Sequence, residues 1–145
     1  MNLSPAIHLA AGAALGGGAY LLTGDAEGAA ALLAGSTAID LDHIYDYTNA
    51  QGLRAGLGVL AGRLAGGPNV RLPRLYLWLH SWELMTLLTL IWYFWFPDPV
   101  FLSALLGAGI HMAMDQFGNP GACRVTYFLT YRILVGFRRE DIVTD

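Results

Sequence analysis

YLWLHSWELMTLLTLIWYFWF, residues 76–96, is a 21-residue run in which His80 and Glu83 are the only ionisable side chains apart from the tyrosines. As a helix rising 1.5 Å per residue it would cover about 30 Å, the thickness of a bilayer's hydrocarbon core. Pro97 and Pro99 punctuate its exit. Three more stretches read the same way: 5–23 (PAIHLAAGAALGGGAYLLT), 28–46 (GAAALLAGSTAI running into DLDH), and 100–117, which ends at Gly118-Asn119-Pro120-Gly121, a sequence that helices rarely run through. Gly24, Asp25 and Glu27 form a polar turn between the first two.

Composition agrees. Of the 145 residues 55% are hydrophobic and only 13% charged, and the mean hydropathy is +0.47, far from an ordinary soluble domain. The expectation is an all-α integral membrane four-helix bundle forming a single domain over residues 1–145. Small residues at Gly12 and Gly16, and at Ala10, Ala14 and Gly18, recur every fourth position and suit close helix packing in lipid. A net charge of -3 with arginines spread along the chain gives no reason to expect a nucleic-acid surface. The single Cys123 excludes an internal disulfide, and no cleavable signal pattern opens the chain.

The arginines set a direction. Arg54, Arg63, Arg71 and Arg74 lie between the second and third stretches and Arg124, Arg132, Arg138 and Arg139 follow the fourth, which accounts for all 8 basic residues. The opposite loops carry only Asp25, Glu27 and Asp98. Retention of positive charge on the cytoplasmic side places both termini there, in the cytoplasmic (inner) membrane. Trp78 and Trp82, against Trp92 and Trp95, are spaced as two interfacial aromatic belts, or as plain core aromatics. Residues 53–65 (Leu53, Leu57, Leu60 and Leu64 on one stripe) and 125–137 read as amphipathic helices lying on the cytoplasmic face. A fifth span over 125–137 is the lesser alternative.

Histidines and carboxylates gather at one end of the four stretches. His8 opens the first; Asp40, Asp42 and His43 close the second; His80 with Glu83 opens the third; His111 with Asp115 closes the fourth. Alternating direction brings all four clusters to one membrane face. Ionisable groups at that depth are costly unless they pair, bind an ion or line a wet cavity. His111 and Asp115 (i, i+4) share a helix face, as do Asp40 with His43 and His80 with Glu83 (i, i+3). Asp42 points elsewhere unless the helix ends there, which would make it a ligand or the partner of one. Any single pair fits a buried structural hydrogen bond equally well. Four together suit a divalent metal, zinc above all, with manganese or iron as other candidates.

In order and spacing these residues resemble the YdjM-like family of inner-membrane metal-dependent hydrolases. The matching elements are an early histidine (His8), a D-x-D-H (Asp40-Leu41-Asp42-His43), a His-Ser (His80-Ser81) and an H-x-x-x-D (His111 to Asp115). The resemblance spans roughly residues 5–120 and departs from the family's His-Arg-Gly, where this chain has Leu75-Tyr76-Leu77. The family is distantly similar to zinc-dependent phospholipases C and single-strand nucleases, whose multi-zinc sites cleave phosphoesters. It implies two or more ions, with Asp115 bridging, His111, His43 and Asp40 on one and His8 helping to hold another. It sharpens the ligand set to these residues and His80. Glu83 would be a further ligand, a general base, or the partner that orients His80; the catalytic candidates are Asp115, Glu83 and Asp42.

The function expected is hydrolysis of a phosphoester, carried on a small molecule, lipid or amphiphile, at the cytoplasmic face among membrane lipids. Arg74, Arg124 and Arg132 lie on the correct side to meet a phosphate, although arginines there also serve as topology determinants or anionic-lipid anchors. Two alternatives differ in class. One is a scaffold or regulator with a closed structural metal site; the other is an ion-binding or transport protein, which favours broken helices and ligands near the midplane.

Overall fold

The computed structural model describes residues 5–64, 70–119 and 121–143, without the side chains of Pro5, Arg63 and Leu64. The end of the expected 53–65 stripe and Pro120 of the expected stop therefore lie outside the described residues. The order is α1 (Pro5–Thr23), α2 (Ala26–Ala38), a 3-10 turn (Ile39–Leu41), α3 (Asp42–Gln51), α4 (Leu53–Leu64), α5 (Trp82–Trp95), α6 (Pro99–Gly118), α7 (Leu129–Leu134) and α8 (Arg139–Ile142). No strand occurs among the described residues; two isolated antiparallel bridges, Arg74 with Arg138 and Ala122 with Val143, tie down the loops.

The expected turns do their work by capping. Asp25 accepts from Gly28 N at 3.0 Å to start α2, and Asp98 accepts from Phe101 N at 2.8 Å to start α6 with Pro99 in its first turn. Helix α2 lies between α1 and α6, and α5 packs on α6. Glycines make this sandwich close. A Cβ at Gly35 would strike the Ala104 carbonyl, and one at Gly107 the Leu32 carbonyl, so α2 and α6 cross backbone to backbone. Gly12 meets Ser36, and Gly16 meets Ala29, on the other side of α2.

Two of the four stretches are not continuous helices. The 28–46 run tightens into the 3-10 turn at Ile39–Leu41 before α3, and the change of pitch lets both Asp40 and Asp42 reach His80, with His43 beside Asp40. The 76–96 run is helical only from Trp82. Residues 76–81 stay unwound because other residues claim their backbone groups. Asp46 accepts from Tyr76 N and Leu77 N at 3.2 and 3.4 Å, and Asp42 Oδ2 accepts from Leu79 N and His80 N at 2.9 and 3.2 Å. Leu77, at φ 48, makes the bend. Residues 125–137 contain only the six-residue α7, too short to span.

Two helices among the described residues, α1 from Ala6 and α6, are long and apolar enough to cross a membrane. Helices α2 and α5, of 13 and 14 residues, do not reach that length. Ionisable side chains share the interior with apolar ones, and large apolar side chains lie on the outside. His8, Asp42, Asp46, His80, His111, Asp115 and Arg132 are buried, whereas Leu22, Phe117 and Leu134 are 89%, 87% and 84% exposed. Ile39, Met85, Leu105, Ala108 and Met112 form an apolar plug among α2, α5 and α6.

Candidate metal centre

The close crossing of α2 and α6 places the His111 ring against α2, where its Nδ1–H donates to Ser36 O at 2.6 Å. The unwound segment delivers His80 opposite, with Nδ1–H donating to Asp42 Oδ2 at 2.9 Å. A carbonyl and a carboxylate can only accept, so both imidazoles carry their proton on Nδ1 when neutral. Their Nε2 atoms then face each other at 3.2 Å. Asp115 Oδ2 stands 3.1 Å from His80 Nε2 and 3.4 Å from His111 Nε2. Asp40 Oδ1 completes the group at 3.8 and 3.6 Å.

Asp115 looks two ways. Its Oδ1 lies 3.1 Å from His8 Nε2 and accepts from Asn119 Nδ2 at 2.9 Å. The His8 ring stacks on His111 at 3.9 Å, and its buried Nδ1 has no hydrogen-bond partner among the described residues. His43 Nε2 is 3.6 Å from Asp40 Oδ1. Three overlapping sets can each hold an ion: His8, His111 and Asp115; Asp40, His80 and His111; Asp42, His43 and His80.

A cleft of about 160 Å³ opens onto this cluster, with His8, Asp40, His43, His80 and Asp115 in its wall. No family model, curated protein or solved structure matches the chain.

Glu83 is elsewhere. Its carboxylate accepts from Leu129 N and Thr130 N at 2.9 Å each and from Thr130 Oγ1 at 2.7 Å, so it fastens the loop into α7 to the start of α5. Of the three arginines expected to meet phosphate, Arg132 is fully buried. Its Nη1 donates to His80 O at 2.8 Å and Thr126 O at 3.2 Å, and its Nη2 to Leu77 O at 2.8 Å. Burial draws its pKa below the ordinary guanidinium value, while Asp42, Glu83 and Asp46 oppose that. Arg74 and Arg124 are exposed and do not line the cleft. Asp42 supports His80 through the Nδ1 bond while lying within ligand distance of His43.

Residues that sequence reasoning passed over complete the site. Asn119 Nδ2 also donates to Tyr127 OH at 3.1 Å, which leaves the phenol's own proton to point elsewhere. Tyr127 lines the cleft, and burial together with the Asp115 charge raises its pKa, so it stays a donor. Asn119 follows Asp115 by four residues, a helical spacing that could have marked it. The Ser36 carbonyl has no sequence signature at all.

Proposed function

We propose that this chain is a membrane-embedded, metal-dependent hydrolase that cleaves a phosphoester at the cytoplasmic face. The observation that carries the reading is the opposition of His80 Nε2 and His111 Nε2 at 3.2 Å, since two lone pairs at that distance repel unless a proton or a metal ion lies between them, and Asp115 and Asp40 beside them complete a metal's ligand set. Ligands of a tetrahedral zinc at about 2.0–2.1 Å stand about 3.3 Å apart, and the His80, His111, Asp115 and Asp40 contacts run from 3.1 to 3.8 Å. Zinc fits this nitrogen and oxygen set best, with manganese and iron as alternatives. The second face of Asp115, toward His8, suits a further ion. Such a centre supplies Lewis-acid polarisation of a phosphoryl oxygen and a water acidified toward neutrality.

The protein's own part is positional. Asp42 and Ser36 lock the two imidazole tautomers, Asn119 steadies Asp115 and Tyr127, and the Tyr127 O–H is free to donate to an oxygen in the cleft. An open cleft favours catalysis over a closed structural clamp. The exposed leucines and phenylalanines favour a lipid environment, the arginine bias favours the cytoplasmic side, and the resemblance to YdjM-like hydrolases belongs to the same proposal.

Turnover decides it. Zinc-loaded protein in detergent should hydrolyse a phosphodiester or phosphomonoester, and His111→Ala should abolish this; equal turnover by both, or none by wild type, removes the hydrolase. Asn49→Cys and Glu140→Cys, with Cys123 replaced by serine, should label from the cytoplasm, and labelling from the other side overturns the topology. A second reading, ion binding for transport, draws on the helix breaks at Ile39–Leu41 and at 76–81. Zinc or proton flux in proteoliposomes without hydrolysis would favour it.

A further inference from the structure

The lining of the cleft also includes two arginines outside the candidate ligand set. Arg71 and Arg139 line the same cleft as His8, Asp40, His80 and Asp115. They come from distant segments that the backbone clamps together. Leu75 N donates to Phe137 O at 2.9 Å, Arg139 N donates to Pro73 O at 3.1 Å, and Arg74 bridges to Arg138 between them. Much of the rest of the lining is aliphatic: Leu60 from α4, with Val70, Leu72, Leu75, Leu77 and Val143.

We propose that this cleft binds the phosphate group of an alkyl phosphate ester, with Arg71 and Arg139 holding its oxygens and the aliphatic wall receiving the first part of its chain. The inference rests on the hydrolase reading for the identity of the anion. Guanidinium forks match phosphate oxygens, and five N–H donors let each arginine keep its contacts within the protein while holding a ligand. A phosphate in this cleft would be met by the arginines and, once the centre is loaded, by the metal charge as well. The cleft, at about 160 Å³, is well below the roughly 300–1,000 Å³ of pockets that enclose drug-sized ligands. It therefore takes a head group and a few methylenes rather than a bulky polar moiety. A lipid head group and a soluble alkyl phosphate share this chemistry.

The test measures binding rather than turnover. Calorimetry on the full chain, zinc-loaded in uncharged detergent, should show hexyl phosphate binding several-fold more tightly than inorganic phosphate, through the aliphatic wall. Arg71→Gln and Arg139→Gln should each weaken hexyl phosphate by roughly tenfold or more with zinc content unchanged. Arg54→Gln, the same charge change on the exposed face of α4, should leave it as in wild type. If a glutamine variant fails to hold zinc, the lysine variant at that position decides. It should bind at least about threefold more weakly, because a point charge cannot replace the fork. Full affinity in zinc-replete arginine variants, equal loss in Arg54→Gln, or no phosphate binding by wild type overturns the proposal. Phosphate binding without turnover of any ester overturns the hydrolase and leaves the arginine pair standing. Turnover with unchanged affinity in both variants does the reverse. Competition by phosphatidic acid in nanodiscs assigns the head group to a lipid; its failure to compete assigns it to a soluble ester.

Discussion

His80 and His111 point their Nε2 atoms at each other across 3.2 Å, while Asp42 and Ser36 hold the Nδ1 proton of each. That arrangement needs a positive charge between the two nitrogens, a metal ion or a proton shared with Asp115, and the overlapping ligand sets favour the metal. Purified protein should therefore retain more than one divalent ion per chain by elemental mass spectrometry, and His80→Ala, His111→Ala and Asp115→Ala should each reduce that number sharply. Folded protein that stays metal-free in zinc-supplemented buffer would count against the centre.

Asp42 acts through His80. Its carboxylate fixes the ring and also accepts from Leu79 N and His80 N, so Asp42→Asn should lower zinc affinity by about 10–100-fold, the usual cost of losing a ligand's hydrogen-bond partner. Chelator competition measures this. An unchanged dissociation constant would show that the His80 tautomer is set by something other than Asp42.

Glu83, expected from the sequence to be a ligand, a general base or the partner that orients His80, holds three donors of the 129–130 segment. Glu83→Ala removes the acceptor from donors that water can partly satisfy, and should cost about 1 kcal/mol in denaturant unfolding, with metal content unchanged. Loss of metal at full stability would return Glu83 to the ligand set.

The difference between these residues shows what a sequence can display. Four apolar stretches and their stops are legible because hydropathy and punctuation are local properties, and α1 and α6 follow them closely. The convergence of His8, Asp40, His43, His80, His111 and Asp115 is legible because direction alternates from one stretch to the next. The unwinding of 76–81 is not. It depends on backbone partners supplied by Asp42, Asp46 and Arg132, which lie some 30 to 55 positions away in the chain, and Leu75–Leu79 reads as apolar whether helical or extended. Without that unwinding His80 and Glu83 would share a helix face. With it they part, one to the centre and one to a loop.

The α2–α6 crossing also reaches the centre. Gly35→Ala would press a methyl onto the Ala104 carbonyl and should cost about 1–3 kcal/mol by overpacking, while moving Ser36 O away from His111 and weakening zinc binding with it. Gly17→Ala, where nothing lies within 4 Å, should be neutral or stabilising. Equal unfolding midpoints for the two variants would show that the crossing tolerates separation.

Arg132 carries the last prediction. Its guanidinium spans Leu77 O, His80 O and Thr126 O, and these acceptors lie on either side of the bend that presents His80. A lysine keeps the charge but offers one compact ammonium, which cannot serve carbonyls in three directions held by a planar fork. Arg132→Lys should therefore loosen residues 77–80, seen as faster amide exchange there, and should lower zinc affinity although Arg132 touches no ligand atom. Because the side chain is fully buried, phosphate binding should fall only as far as zinc occupancy falls. A zinc-saturated Arg132→Lys that binds hexyl phosphate tenfold more weakly than wild type would mean that Arg132 reaches the anion after all.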